Sequence, residues 1–231
     1  MKILAFDMST PACTVALQVD GSITWRHQLM QNRHTDYVLS MMTALILEAG
    51  IPLSELDAIA FGVGPGSFTG VRLSAALAQG IGFGLDIPVI PISTLQTIAG
   101  YAHRTHQMEQ TLVAWDARMG EVYWGQYRYD VDSDGMGAVV PDAILSPKDV
   151  TVDLSGRCIG LGNAWLIYTD ILKEAVEKQG CSIVMVQEAY PHARDMLPWA
   201  SRQFLAGLGL PATQARPVYL RNPIYATPST H

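Results

Sequence analysis

Two short runs constrain the fold more than any other feature of the chain. Ile3-Leu4-Ala5-Phe6-Asp7 opens it, and Leu112-Val113-Ala114-Trp115-Asp116 repeats the pattern of two aliphatics, Ala, an aromatic and Asp. Each is followed by a second strand-like run, Thr14 to Val19 in the first case and Glu121 to Arg128 in the second. A strand, a terminal Asp and a returning strand therefore occur twice, which is what a duplicated unit would produce. Buried strands also resemble one another by chance, and that explanation stays open on two matches alone.

The intervening sequence has α/β punctuation. Ser22 to Gln28 continues the opening meander, Thr35 to Ala49 predicts a helix, Ala58 to Gly62 a buried strand, Ser67 to Leu85 a helix and Pro88 to Ile92 a further strand. Ser93 is placed to cap a helix running to about His103. The second half predicts strands at Leu112 to Asp116, Glu121 to Arg128, Ala138 to Leu145, Arg157 to Leu161 and Ser182 to Val186. Its helices are expected at Ala164 to Gln179 and Ala193 to Gly207. Helices alternating with strands imply sheets covered by helices, here in two α/β lobes, 1–106 and 107–231, joined near Thr105 to Glu109. The extreme C-terminus is expected to pack back on the first lobe.

Composition narrows the function classes. The chain has 231 residues and a formal net charge of -6, and its Lys and Arg are scattered, so it lacks the basic footprint that grips a phosphate backbone. Any nucleic acid it serves is expected to be held by a partner. The most apolar stretch, Val71 to Ile92, is interrupted by Arg72, Gln79 and Asp86, which argues against a membrane span. Asp7 follows Lys2 too closely for a secretory leader, so the expected location is the cytoplasm. Cys13, Cys158 and Cys181 are far apart in sequence and read as core thiols.

The segment Gly62-Val63-Gly64-Pro65-Gly66-Ser67-Phe68-Thr69-Gly70-Val71-Arg72 looks like a phosphate loop and fails each test for one. A Walker loop ends in Lys, whereas Val71 and Arg72 follow Gly70 here. The third glycine of a dinucleotide fingerprint is replaced by Ser67. Ser67 is also displaced by one residue from the centre of a nucleophile elbow. A tight strand-to-helix turn with Ser67 as N-cap accounts for the segment. In the helix beyond it, Gly70, Ser74, Ala78 and Gly82 recur every four residues, and each helical glycine costs about 1 kcal/mol relative to Ala. Close approach of another backbone would explain that cost. The preceding helix, with Tyr37, Val38, Met41, Met42 and Leu45, is apolar over more than one face. Burial between layers of one lobe and an interface with another molecule are both consistent with this pattern.

ILAFDMSTPACTVAL, GVGPGSFTGVRLSAALAQGIGFGL, PVIPISTLQTIA, DARMGEVYW and the closing PVYLR together resemble the TsaB (YeaZ) family of the bacterial threonylcarbamoyladenosine tRNA-modification machinery. The resemblance spans nearly the whole chain. It implies a two-lobed actin-like and Hsp70-like ATPase superfamily fold, with duplicated RNase H-like lobes and a degenerate nucleotide cleft. It also implies a non-catalytic scaffold for a TsaD-like catalytic subunit, which transfers threonylcarbamoyl to an adenosine of tRNAs reading codons that begin with A. A TsaE-like ATPase joins the assembly, the chain alone forms a homodimer, and tRNA is reached only through the complex. The two N-terminal helices would form the interface, so Tyr37, Val38, Met41, Met42, Leu45, Gly70, Arg72, Ser74, Ala75, Ala78 and Gly82 are its expected residues.

Departures from catalytic relatives support the same reading. Where such a relative places a metal-binding His pair, this chain has Thr94 and Ile98, and neither can act as imidazole does. His103 and His106 lie further on and read as surface residues. Asp7, Ser9, Thr10 and Asp116 would be the vestiges of the nucleotide cleft, but Pro11 offers no N–H, and Arg118, Met119 and Glu121 crowd the second turn. No cofactor, catalytic residue or resident metal is expected. The alternatives are an independent ATPase or kinase with a cleft between the lobes and, with less support, a protease.

Overall fold

The computed structural model describes residues 1–30, 34–132, 134–186 and 189–221. The first sheet is built from β1 (Lys2–Asp7), β2 (Ala12–Val19), β3 (Ser22–Leu29), β4 (Ala58–Gly62) and β5 (Val89–Ile92), in the spatial order β3-β2-β1-β4-β5. The second contains β6 (Gln110–Arg118), β7 (Glu121–Asp130), β8 (Gly135–Ala138), β10 (Gly156–Leu161) and β11 (Cys181–Val186), ordered β11-β10-β6-β7-β8, with β9 (Ala143–Leu145) also pairing with β7. In each sheet an antiparallel meander of three strands is extended on its first strand by two parallel ones. The echo between Ile3–Asp7 and Leu112–Asp116 is thus an echo of topology. β1 and β6 occupy the same central place in their sheets.

Side-chain alternation along β1 decides what covers each face of the first sheet. Leu4 and Phe6 point into a core closed by α1 (His34–Ala49) and α2 (Phe68–Leu85), whereas Ile3 and Ala5 meet Ala193, Met196, Leu197 and Ala200 on the opposite face. The second face is lined by Ala5, Ala16, Ala58 and Ala60, whose small side chains admit this late segment of the chain. That segment is a 3-10 turn, Ala193–Met196, leading into α6 (Leu197–Leu205). In return α3 (Thr94–His106) sets Leu95, Ile98, Ala99 and Ala102 against Val113, Trp115, Ile159 and Leu161 of the second sheet. On that sheet's outer face, α4 (Ala164–Ile167) and α5 (Thr169–Glu177) bury Trp165, Leu172 and Val176.

Three elements depart from the sequence reading by more than a shifted end. The strand expected over Ala138 to Leu145 is two strands, because Pro141 between them has no N–H for a ladder. The helix expected over Ala164 to Gln179 breaks at Tyr168, whose φ of -120° and ψ of 32° leave the helical region. The helix expected from Ala193 starts as a 3-10 turn and becomes regular at Leu197, with Pro198 in its first turn. α3 ends at His106 and β6 starts at Gln110, although α3 packs on the second sheet. Residues 189–221 pack against the first lobe through Ala193 to Ala200 and through Leu210, Ala212 and Ala215. The last ten residues, Asn222 to His231, and the side chain of His34 lie outside the described residues.

The small-residue lane of α2 faces inward, which corrects the expectation that it meets another molecule. A β-carbon at Gly70 would fall 2.0 Å from the Met8 carbonyl oxygen, and one at Gly82 would fall 2.8 Å from a Val89 methyl. Ser74 is buried and its Oγ accepts the Met8 N–H at 3.3 Å, while Ala75 and Ala78 are buried in the same core. Gly80 and Gly84, by contrast, have open space where a β-carbon would stand. Gly80→Ala is therefore expected to raise stability by about 0.5–1 kcal/mol through helix propensity. Gly70→Ala is expected to cost about 2 kcal/mol or more through overpacking. Urea denaturation of the two variants measures both signs.

One joint between the lobes is titratable. His192 stacks on His27 with ring centroids 4.8 Å apart, beside Trp25, and the Arg194 guanidinium lies 4.0 Å over the Trp25 ring. Arg104 of α3 reaches Asp195 in the same turn with two donors, at 2.6 and 3.0 Å. Burial, then the neighbouring His27, Arg104 and Arg194, push the His192 imidazole down to about 3. Folded His192 is thus neutral through pH 5, whereas the unfolded imidazole takes a proton below its ordinary value of 6.5. The unfolded state binds more protons, so this stability is complete above pH 6.5 and is lost as pH falls towards 3. Stability is expected to drop by about 2 kcal/mol from this group between pH 7 and pH 5. The drop should be largely absent in His192→Gln, as measured by denaturation across that range.

Candidate docking face and inter-lobe cleft

The glycine-rich segment is a tight turn between β4 and α2, and Ser67 caps the helix by accepting the Gly70 N–H at 3.1 Å. Gly64 has a φ of 99°, a conformation few other residues tolerate. The segment wraps the turn after β1. β-carbons at Gly62 and Gly66 would lie 2.1 Å from the Asp7 carboxylate and 2.2 Å from the Ser9 carbonyl oxygen. Ser67 donates its own N–H to that Ser9 oxygen at 2.6 Å. The glycines thus make room for this chain's first hairpin.

That hairpin's polar groups are committed internally. Asp7 is fully buried and accepts the Ser9 N–H at 2.7 Å and the Thr94 hydroxyl at 2.8 Å. The Ser9 and Thr94 hydroxyls lie 2.7 Å apart. The Met8 N–H goes to Ser74, and the Ala12 N–H goes to the Thr10 hydroxyl at 3.1 Å. Thr94, the first of the two positions where a catalytic relative would carry His, serves here as a clamp on Asp7, and Ile98 is a core residue. Across the cleft, Asp116 donates its N–H to Asn163 at 2.8 Å, and its carboxylate takes the Arg118 N–H at 2.9 Å and the Arg118 guanidinium at 3.2 Å. A cavity of about 450 Å³ separates the hairpins, lined by Ser9, Thr10, Pro11, Trp115, Arg118 and Tyr190 among others. Ser9, Thr10 and Asp116 line this cleft, whereas Asp7 is buried beneath the turn, and both carboxylates are bonded within the chain. His103 stacks on Tyr129 at 3.6 Å at the far end of α3.

The helices divide the expected interface residues into two groups. Val38, Met42 and Leu45 are buried in the first lobe's own core, as are Gly70, Ser74, Ala75, Ala78 and Gly82. Helical periodicity turns Tyr37 and Arg72 outward, while Met41 is half-buried. The exposed face includes residues the sequence reading passed over, namely Leu39, Leu47, Phe68, Ala76, Gly80, Phe83 and Gly84. Leu47 and Phe83 each leave 74% of their surface to solvent. Ala76, Gly80 and Gly84 form a second lane of small residues at four-residue spacing, legible in the sequence beside the first. No helix among the described residues is long and apolar enough to cross a membrane.

Residues 28–222 match a family model described as TsaD: tRNA N6-adenosine threonylcarbamoyltransferase. The chain is 39% identical over 225 residues to the tRNA threonylcarbamoyladenosine biosynthesis protein TsaB of Escherichia coli (strain K12), covering 96% of this chain and 95% of that protein. The chain belongs to the TsaB family. The TsaB protein of Haemophilus influenzae is 38% identical over 231 residues, covering 97% of this chain and 95% of the relative. YeaZ from Pseudomonas aeruginosa superposes with a TM-score of 0.87 at 38% identity, covering 95% of this chain and 99% of that one. A second solved structure, described as an uncharacterized protein with similarity to peptidase YEAZ from Pseudomonas aeruginosa, superposes at 0.88 with the same identity and coverage. The two-lobed fold expected from the TsaB resemblance is thus observed.

Proposed function

We propose that the chain acts in the formation of threonylcarbamoyladenosine in tRNA, as a non-catalytic subunit that docks on a TsaD-like transferase through the outer face of α1 and α2. The observation that carries this reading is the exposed lane of Ala76, Gly80 and Gly84, with Phe83 beside it on α2 and Leu47 exposed on α1. Apolar side chains of this size, grouped rather than scattered on a surface, mark an interaction site. Two open glycines within a helix cost stability that close approach of a partner helix would offset. Tyr37, Met41 and Arg72 border that face and keep their proposed interface role, whereas the buried residues support it from beneath. In the absence of the transferase, the same face would pair with a second copy of the chain.

The scaffold role is further supported by the state of the cleft. A superfamily hairpin that held phosphate would need free backbone N–H groups, and those of Met8, Ser9 and Ala12 are taken by side chains of this chain. The formal charge of -6 leaves tRNA to be gripped by the assembly, with a TsaE-like ATPase supplying nucleotide chemistry. Gly80→Arg and Phe83→Asp alter exposed positions and leave the core intact. Each is expected to weaken binding to the TsaD-like subunit by about tenfold or more, as central interface substitutions do. Titration calorimetry with circular dichroism as a folding check measures this. Wild-type affinity in both folded variants would refute the docking face.

A further inference from the structure

The last described residues, 216–221, cross from one lobe to the other beside the cleft, next to Gly66 and Tyr123, which also line its cavity. Its Val218 N–H is donated to the Val63 carbonyl at 2.9 Å, which ties the segment to the residue just after β4. Tyr219 accepts the Arg72 Nε–H at 2.9 Å, and Arg72 lies 3.2 Å over the Phe68 ring at the start of α2. Two residues later Arg221 reaches the second lobe. Its Nη2 donates to Glu121 Oε2 at 2.5 Å and to the Ala117 carbonyl at 3.1 Å, and its Nη1 contacts the Met119 sulfur.

The receiving turn is built to accept a cation. Arg118, Met119 and Gly120 have φ values of 65°, 57° and 78°, consecutive left-handed residues that bend β6 sharply into β7. The Ala117 carbonyl is turned towards the incoming guanidinium, and Glu121 adds a carboxylate beside it. This hairpin is topologically equivalent to the β1–β2 turn. Where a phosphate-binding hairpin offers N–H groups to an anion, this one presents a carbonyl and a carboxylate to a guanidinium. One nitrogen, Nη2, serves both acceptors while Nη1 turns to the Met119 sulfur, and a lysine ammonium would supply the charge without that second arm.

We propose that residues 216–221 are a strap that fixes the opening between the two lobes, with Arg221 as its clasp on the β6–β7 turn. The deeper joints at α3 set which faces meet, and the strap sets how far the cleft mouth parts. Because Arg72 and Phe68 hold the strap's middle and border the outer face of α2, a partner seated there would act on the clasp. That last step alone rests on the docking reading.

The test uses the full chain without a partner, so it stands or falls separately from docking. Hydrogen exchange is followed at the Val218 amide, and spin labels at Thr69→Cys and Leu166→Cys report the distance across the cleft mouth. Both label positions are exposed, and the native Cys13, Cys158 and Cys181 are buried. In Arg221→Gln, Val218 exchange is expected to accelerate roughly tenfold and the label distance to lengthen and broaden. Arg221→Lys should fall between that variant and the wild type, and Glu121→Gln should shift both readouts in the same direction as Arg221→Gln. Unchanged exchange, or faster exchange with an unchanged distance distribution, would reduce Arg221 to a local cap on the turn and overturn the proposal.

Discussion

The contact on which the rest of the first lobe depends is that between the glycine-rich bend and the turn after β1. β-carbons at Gly62, Gly66 and Gly70 would fall within 2.0 to 2.2 Å of Asp7, Ser9 and Met8 respectively. No flexible side chain could yield there, because two of the three obstacles are backbone carbonyls. The bend therefore fixes where α2 leaves the sheet and which side of it lies against β1. Once Ser74, Ala78 and Gly82 are committed to the interior, a rotation of 100° per residue leaves Ala76, Gly80 and Phe83 outside.

The same contact ties up polar groups of the first hairpin. The bend packs against one side of the first hairpin, and Asp7 is held by Ser9 and by Thr94. The second hairpin is filled differently, with Arg118 paired to Asp116 and the clasp arginine on its far side. Two lobes of equivalent topology have thus been closed by unrelated local devices. The outer helical face, with Leu47 and Phe83 exposed, is the one we propose for a partner.

Much of the fold was legible in the sequence, because β1 and β6 carry the same apolar pattern with a terminal Asp, and buried strands of a duplicated unit keep such patterns. The ends of α2 were equally legible, since Ser67 caps one end locally and Asp86, at a φ of 56°, closes the other. The direction of the small-residue lane was not. Gly70, Ser74, Ala78 and Gly82 are as small as Ala76, Gly80 and Gly84, and spacing alone cannot say which lane meets a sheet and which meets a stranger. Long-range partners decided it, among them Met8 at 66 residues' separation and Ala212, which lies against Gly82. The clasp between Arg221 and Glu121 and the clamp of Thr94 on Asp7 escaped the sequence reading for the same reason, as single polar pairs leave no periodic trace.

Cysteine labelling of two positions on α2 tests the inside-out assignment most directly. Ser74→Cys places a near-isosteric thiol in the inner lane, and Gly84→Cys places one in the outer lane, against a background of three buried cysteines. The account predicts that maleimide reacts quickly at position 84 and slowly at position 74, and that the TsaD-like subunit shields position 84 alone. Rapid labelling at position 74, or undiminished labelling at position 84 in the complex, would contradict it.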